Sequence, residues 1–336
     1  MRKTLAAVAT FAVSTTMLVG CGGDPSSDEA SSAPAPETDQ TSEESTSEGG
    51  DAFPVTVKHA QGELTIEEQP EKIVVMDLGV MDTLEAIGAK DAVKGVPMPD
   101  RLPDFLGGYS DVASVGSLFE PDMEEIAKID PDLVIVAARS ASLYQDLSKS
   151  YPTIDATISW KEPDYSERVP EQVRMIGEAT GHADEAEQAA KDLEDKIAEY
   201  DGLASDKGSA IVVMTNGGEI SLHGPQSRWA PIFDVLGFEP GFEEKADEGH
   251  KGQKVSFETV KEINPDYIFV VDRDAAIGEV DPGQTAEKVL DNDLVKATTA
   301  AQEDHIVYLT PDRWYLVMTG ASNYGVLLDE IGDAVK

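Results

Sequence analysis

The chain has 336 residues, 40% of them apolar, and a formal charge of −39 from 65 Asp and Glu against 26 Lys and Arg. An acidic balance this strong argues against nucleic acid or anionic lipid as the recognised surface, because both repel it. Cys21 is the single cysteine, which excludes an intrachain disulfide and a thiolate metal cluster.

Residues 1–20 read as a lipoprotein signal peptide. Arg2 and Lys3 form a basic n-region, and Leu5 to Val19 is an apolar stretch too short to span a bilayer. Leu18-Val19-Gly20-Cys21 resembles a bacterial lipobox, in which Cys21 is lipidated and becomes the mature N-terminus; the alternative is a plain secretory signal with an incidental cysteine. The expected location is the extracytoplasmic face of the cell membrane. Residues 21–52 then read as a disordered tether. From Gly22 to Ala52 there are nine acidic residues, no basic ones and seven serines, too little apolar surface to offset chain entropy. Like charges along such a coil extend it away from the membrane.

The remaining residues, 53–336, suffice for two lobes with cores of their own. The expected boundaries are 53–181 for the first lobe, 182–204 for a bridging helix and 205–336 for the second lobe. Phe53 to Ile66 alternates like a hairpin turning at Gln61-Gly62. Lys72 to Asp77 is a buried strand, followed by a helix from Met81 to Ile87 that Gly88 stops. Val93 to Val96, the helix Met123–Ile129, the strand after Pro131-Asp132, a helical Ser140–Leu147 and a strand from Thr153 continue a βα alternation. Such alternation predicts a mostly parallel sheet. Arg168 to Thr180 is a helix ended by Gly181. Ala183 to about Leu203 then carries Ala186, Ala190, Leu193, Ile197 and Tyr200 at helical spacing. That segment is either one more surface helix or a rigid strut between the lobes, and the strut is the favoured reading.

The second lobe restarts with the strand Ser209–Thr215, the tight turn Asn216-Gly217-Gly218 and a helix from Trp229 to Leu236. A polar loop from Gly241 to Lys254 follows, then a helix and strand from Phe257, helical Ala286–Leu290, the strand Ile306–Leu309 and a terminal helix Ser322–Val335.

One stretch occurs twice. Phe257 to Arg273 (FETVKEINPDYIFVVDR) repeats Met123 to Arg139 (MEEIAKIDPDLVIVAAR) after 134 positions, with six of seventeen pairs identical. Each copy is an amphipathic helix, a Pro-Asp break, an apolar strand and a closing arginine, so the repeat declares two similar lobes. Ligands of open α/β sheets bind beyond the carboxyl ends of the strands. Arg139 and Arg273 therefore stand at the ligand-facing edges of the two lobes. Only seven arginines follow the signal segment, which sharpens the point. Glu124 and Glu258 form a second symmetric pair at the helix starts.

Enzyme signatures are missing: the chain has no G-x-S-x-G, P-loop, dinucleotide fingerprint or H-E-x-x-H. Five histidines (59, 182, 223, 250 and 305) are scattered singly, so no pair has metal-ligand spacing. Residues 53–336, with the phrases KIVVMDLGVMDTLEAIG, GPQSRWAPIFDVLGF and VYLTPDRWYLVMTG, resemble the iron(III)-siderophore-binding lipoproteins of bacterial ABC importers. Within that class they are most similar to binders of petrobactin-type catecholates. The resemblance implies a class III solute-binding fold, α/β, with two similar lobes joined by one long helix. It implies a monomer without catalytic activity or permanent cofactor, which carries ferric siderophore to a permease dimer and its ATPase. Carried over residue by residue, it gives Arg139, Arg228 and Arg273 as ligand-binding, with His250 and Tyr315 as candidate iron ligands. At that last position either Tyr315 or, one residue away, Trp314 faces the cleft. Glu124 and Glu258 correspond to the permease-docking glutamates. A haem or cobalamin binder of the same fold, and a surface enzyme or adhesin, stand as rivals.

Overall fold

The computed structural model describes residues 52–98, 102–162, 164–243, 252–279 and 281–336. The signal segment, Cys21, the tether up to residue 51 and His250 lie outside the described residues.

The first lobe starts with an antiparallel hairpin, β1 (Val55–His59) and β2 (Gly62–Ile66), in which His59 pairs with Gly62. The turn is thus Ala60-Gln61, one residue earlier than the sequence suggests, because Gly62 itself belongs to the ladder. Beyond it lies a five-stranded parallel sheet of β3 (Ile73–Val75), β4 (Val93–Val96), β5 (Ala113–Ser114), β6 (Leu133–Val136) and β7 (Thr153–Asp155), in the order β5-β4-β3-β6-β7. The helix after β3 begins at Leu78, earlier than expected, because the Asp77 carboxylate accepts the N–H groups of Gly79 and Val80 and starts it there.

The second lobe holds β8 (Ser209–Asn216), β9 (Glu219–His223), β10 (Glu239–Pro240), β11 (Gln253–Val255), β12 (Tyr267–Asp272) and β13 (Ile306–Tyr308). Its sheet runs β11-β9-β8-β12-β13, with β10 alongside the start of β8. Gly217 and Gly218, at φ of 57° and 79°, form the tight hairpin that turns β9 antiparallel to β8. The end of the stretch expected to be polar loop becomes the edge strand β11, antiparallel to β9. Between Trp229 and Leu236 only Pro231–Asp234 is α-helical.

The two copies of the repeat fold alike. Their helices, Met123–Ile129 and Phe257–Ile263, end on left-handed residues at matching positions, Asp130 (φ 52°) and Asn264 (φ 47°). The aspartates that follow each proline then do the same work. Asp132 accepts the Lys72 N–H at 2.9 Å at the entrance to β3, and Asp266 accepts the Ser209 N–H at 2.8 Å at the entrance to β8. Each Pro-Asp therefore sets the register of its own strand against the neighbouring first strand, placing β6 beside β3 and β12 beside β8.

Alternate residues of the central strands face opposite layers. Val74, Met76, Val134 and Val136 fill a small cluster on the outer face of the first sheet, and Ile211, Val213, Ile268 and Val270 do so for the second. Ile73, Val75, Val212, Met214 and Phe269 face inward, into one apolar core that continues through both lobes. Continuous apolar strands are what two covered faces require.

The joint between the lobes contains the long helix Ala183–Tyr200, about 27 Å at 1.5 Å per residue. It packs against Arg168–Thr180, and a Cβ on Gly177 would lie 2.1 Å from the Cβ of Ala186, so the two axes approach closely. At its far end Tyr200 Oη donates to Asp329 at 3.0 Å. The joint is broader than this helix. The segment before the last helix (Asn323–Asp333) returns to the first lobe, where Ala321 N–H donates to Thr83 Oγ1 (3.1 Å) and the N–H groups of Ser322 and Asn323 to Asp82 (2.8 and 2.9 Å). No helix among the described residues is long and apolar enough to cross a membrane.

Candidate functional site

A cavity of about 790 Å³ opens between the lobes. Phe119, Ala138, Arg139 and Ser142 line it from the first lobe. Met214, Asn216, Glu219, Ile220, Ser221, Arg228, Gly252, Lys254, Arg273 and Tyr315 line it from the second. Arg139 and Arg273, the arginines that close the two copies of the repeat, thus face one hollow from opposite walls.

The arginines gather round one ring. The guanidinium carbons of Arg139, Arg228 and Arg273 lie 5.5, 4.8 and 5.9 Å from the centroid of Tyr315. At such distances the electron-rich face of an aromatic ring attracts cations. Arg273 Nε donates to Tyr315 Oη at 3.2 Å, and its Nη1 lies 3.3 Å from both Asn216 Oδ1 and Asp274 Oδ1. Arg139 reaches across from the first lobe to donate to the carbonyl oxygens of Tyr315 and Leu316, the latter at 3.0 Å. Trp314 is buried and donates through Nε1 to Glu330 at 2.6 Å. The register is therefore resolved: Tyr315 lines the cavity and Trp314 belongs to the core.

Local backbone explains how these groups are presented. Ala138 has φ of 46°, and its N–H donates to Thr157 Oγ1 at 2.8 Å. A non-glycine residue in the left-handed region just before Arg139 turns the chain sharply past the end of β6. Arg313–Val317 winds as a single π-helical turn and ends on Met318, at φ of 64°. Such turns are frequent at functional sites. Here it carries Tyr315 toward the cavity while Trp314, Leu316 and Val317 are buried.

Arg228 is the most confined of the three. It is 8% exposed, stacks on Trp229 with 4.6 Å from guanidinium carbon to ring centroid, hydrogen-bonds to Tyr315 and lies 3.5 Å from Met318 Sδ. Burial first, and the positive charge of Arg139 second, push its guanidinium down to about 10. Burial also lowers Arg139, with Asp77 and Tyr315 opposing. Asp77 is itself raised to about 6, chiefly by burial, against the stabilising N–H groups of its helix and the charge of Arg139. Behind the wall, His223 is driven down to about 3 by burial and then by Arg228, so it is neutral at physiological pH. An arrangement that crowds positive charge into a poorly solvated hollow favours an anionic occupant whose oxygens take charge-assisted hydrogen bonds.

Glu124 and Glu258 are exposed in the first turns of their matching helices and do not line the cavity. Among the cavity groups that sequence reasoning did not single out are Phe119 and the Lys254–Glu219 ion pair that links β11 to β9. The Gly-Ser-Leu-Phe-Glu turn was the available signal for Phe119; for the ion pair none exists without the strand pairing.

A family model for periplasmic binding proteins matches residues 73–313. The chain belongs to that family. Among its relatives, the petrobactin-binding protein YclQ of Bacillus subtilis is 35% identical over 287 residues, covering 84% of this chain and 88% of YclQ. The ferric-anguibactin-binding protein FatB of Vibrio anguillarum is 29% identical, covering 83% of this chain and 86% of FatB. The crystal structure of YclQ superposes with a TM-score of 0.77, covering 84% of this chain and 98% of that one. The periplasmic catecholate-siderophore-binding protein VctP of Vibrio cholerae superposes with a TM-score of 0.74 at 31% identity, covering 82% and 98%. The two-lobed α/β architecture is accordingly the class III periplasmic-binding fold, as the sequence led one to expect.

Proposed function

We propose that this protein is the lipid-anchored, extracytoplasmic substrate-binding component of an ABC importer, and that it captures an anionic ferric siderophore of catecholate type. The observation that carries this reading is the convergence of three guanidinium groups, one from the first lobe and two from the second, on the Tyr315 ring inside a single cavity. Iron here is cargo, and the protein supplies charge and shape but no covalent chemistry. A ferric ion wrapped in catecholates bears net negative charge spread over oxygen atoms. Arginine forks neutralise it and hydrogen-bond those oxygens, with directionality a lysine lacks. Burial removes competing water, which strengthens each of these bonds. The petrobactin and ferric anguibactin in the names of YclQ and FatB, and the catecholate siderophore in that of VctP, support this reading.

Tyr315 is the candidate iron ligand where a siderophore leaves a coordination position open, since a phenolate is a reasonable ligand for ferric iron; His250 is the candidate second ligand. Glu124 and Glu258 would dock on basic residues of the permease, one from each lobe, as suits a two-fold partner. Cys21 would carry the lipid.

The test is a titration of ferric catecholate followed by tryptophan fluorescence. Replacing both Arg139 and Arg273 by Ala is expected to weaken binding at least tenfold, about 1.4 kcal/mol. Unchanged affinity would refute the site.

A further inference from the structure

We propose that Phe119 is a fixed aromatic clamp at the mouth of the cavity, which selects ferric complexes whose chelating groups are aryl rings. This rests on the siderophore reading and narrows it. Three arginines recognise negative charge on oxygen, and citrate, hydroxamate and catecholate complexes can all offer that. Discrimination between them needs a group that senses the ring.

Phe119 lines the cavity yet is 66% exposed, the most exposed of the large hydrophobic side chains among the described residues. A phenyl group left in water forgoes the stabilisation that burial brings, so its position calls for an occupant that covers it. The turn beneath it is built to hold it there. Ser117 N–H donates to the Glu120 carbonyl at 2.9 Å, and Ser117 Oγ accepts the N–H groups of Phe119 and Glu120 at 3.3 and 3.0 Å. Leu118, next in the chain, is buried. Gly116 sits at φ of 94°, where a Cβ would fall 2.4 Å from the Glu120 carbonyl oxygen, so only glycine closes the turn so tightly. Gly116 is tied in turn to Pro121 across a β-bridge and to Met98, whose N–H donates to its carbonyl at 2.9 Å. The ring is thus carried on a braced backbone.

Among the described residues lining the cavity, Phe119 is the sole aromatic of the first-lobe wall, while Tyr315 with its arginines belongs to the second. A ferric catecholate between them would present oxygen atoms to the guanidinium groups and a ring face or edge to Phe119. Aromatic pairs in offset or edge-to-face contact gain more than their buried area alone provides.

The experiment uses the full chain and two probes, iron(III) with excess catechol and iron(III) dicitrate, titrated by tryptophan fluorescence with Trp160, Trp229 and Trp314 untouched. Phe119→Ala is expected to weaken the catechol complex about tenfold and to leave dicitrate within twofold of wild type. Phe119→Leu, apolar but without a ring face, is expected to behave like Phe119→Ala, and Phe119→Tyr like wild type. Because the side chain is exposed, all variants should unfold thermally with the wild type. Unchanged catechol affinity in Phe119→Ala, equal loss for both probes, or full affinity in Phe119→Leu would each overturn the clamp while leaving the siderophore reading intact. Failure of the wild type to bind the catechol complex would remove both.

Discussion

Arg228 allows the cost of the binding site to the free protein to be measured. Its guanidinium is buried beside Arg139 and held below its ordinary value, at about 10. A depressed cationic group destabilises the fold while both states are protonated, so the cost is complete at all pH values below the folded value and fades only as pH rises above about 10. At 1.36 kcal/mol per unit, the cost at neutral pH is roughly 3 kcal/mol. Arg228→Met removes the charge and retains much of the volume. It also forfeits the stacking on Trp229 and Tyr315, worth about 1–2 kcal/mol together. The variant should therefore be as stable as wild type or up to about 2 kcal/mol more stable, a rise of a few degrees in Tm for a chain of this size. Ferric-catecholate affinity should fall at least a hundredfold, because a buried charge-assisted interaction is lost. Urea unfolding followed by circular dichroism, with fluorescence titration alongside, measures both. Destabilisation beyond about 2 kcal/mol with binding intact would refute the reasoning and make Arg228 a structural residue.

Two further outcomes follow from the seam and the wall. Gly79→Ala places a Cβ 2.3 Å from Thr319 Oγ1 and 3.2 Å from the Val317 carbonyl oxygen, so it should wedge the returning segment off the first lobe. The expected cost is about 1–3 kcal/mol by thermal melt, with weaker ligand binding because Tyr315 shifts too; a stabilised variant would count against the seam. His223, about 3 in the fold and near 6.5 when unfolded, contributes stability that is present above pH 6.5 and lost as pH falls toward 3. His223→Gln should flatten that acid arm by up to about 1.4 kcal/mol per pH unit in denaturation curves; an unaltered slope would show that the imidazole does not titrate as its burial requires.

The repeat made Arg139 and Arg273 legible because both follow from purely local grammar: a helix, a Pro-Asp break, a buried strand and a residue just past its end. The same grammar hid the Asp77 cap, since a helix start depends on one side chain bonding two N–H groups. It hid β9 and β11 as well, because antiparallel pairing reverses the pattern on which the βα reading relied. Arg228, Tyr315 and His250 came from the family resemblance, and the first two line the cavity. Phe119 looked like an ordinary turn residue, since nothing in a linear sequence marks which turns overhang a hollow.

By itself the sequence determined the two-lobed α/β plan, the positions of most helices and strands, and the pair of arginines at equivalent strand ends. These are consequences of hydrophobic period and of helix and strand punctuation, which act over ten or twenty residues. Tertiary structure alone decided that Arg139 crosses to the carbonyls of Tyr315 and Leu316, 176 and 177 positions away, and that three like charges share one aromatic ring. It also decided that Tyr315 and not Trp314 faces the cavity, because a single π-helical turn between packed lobes sets that rotation. Such contacts depend on the summed geometry of two sheets and the shared core between them, and no local pattern encodes that sum.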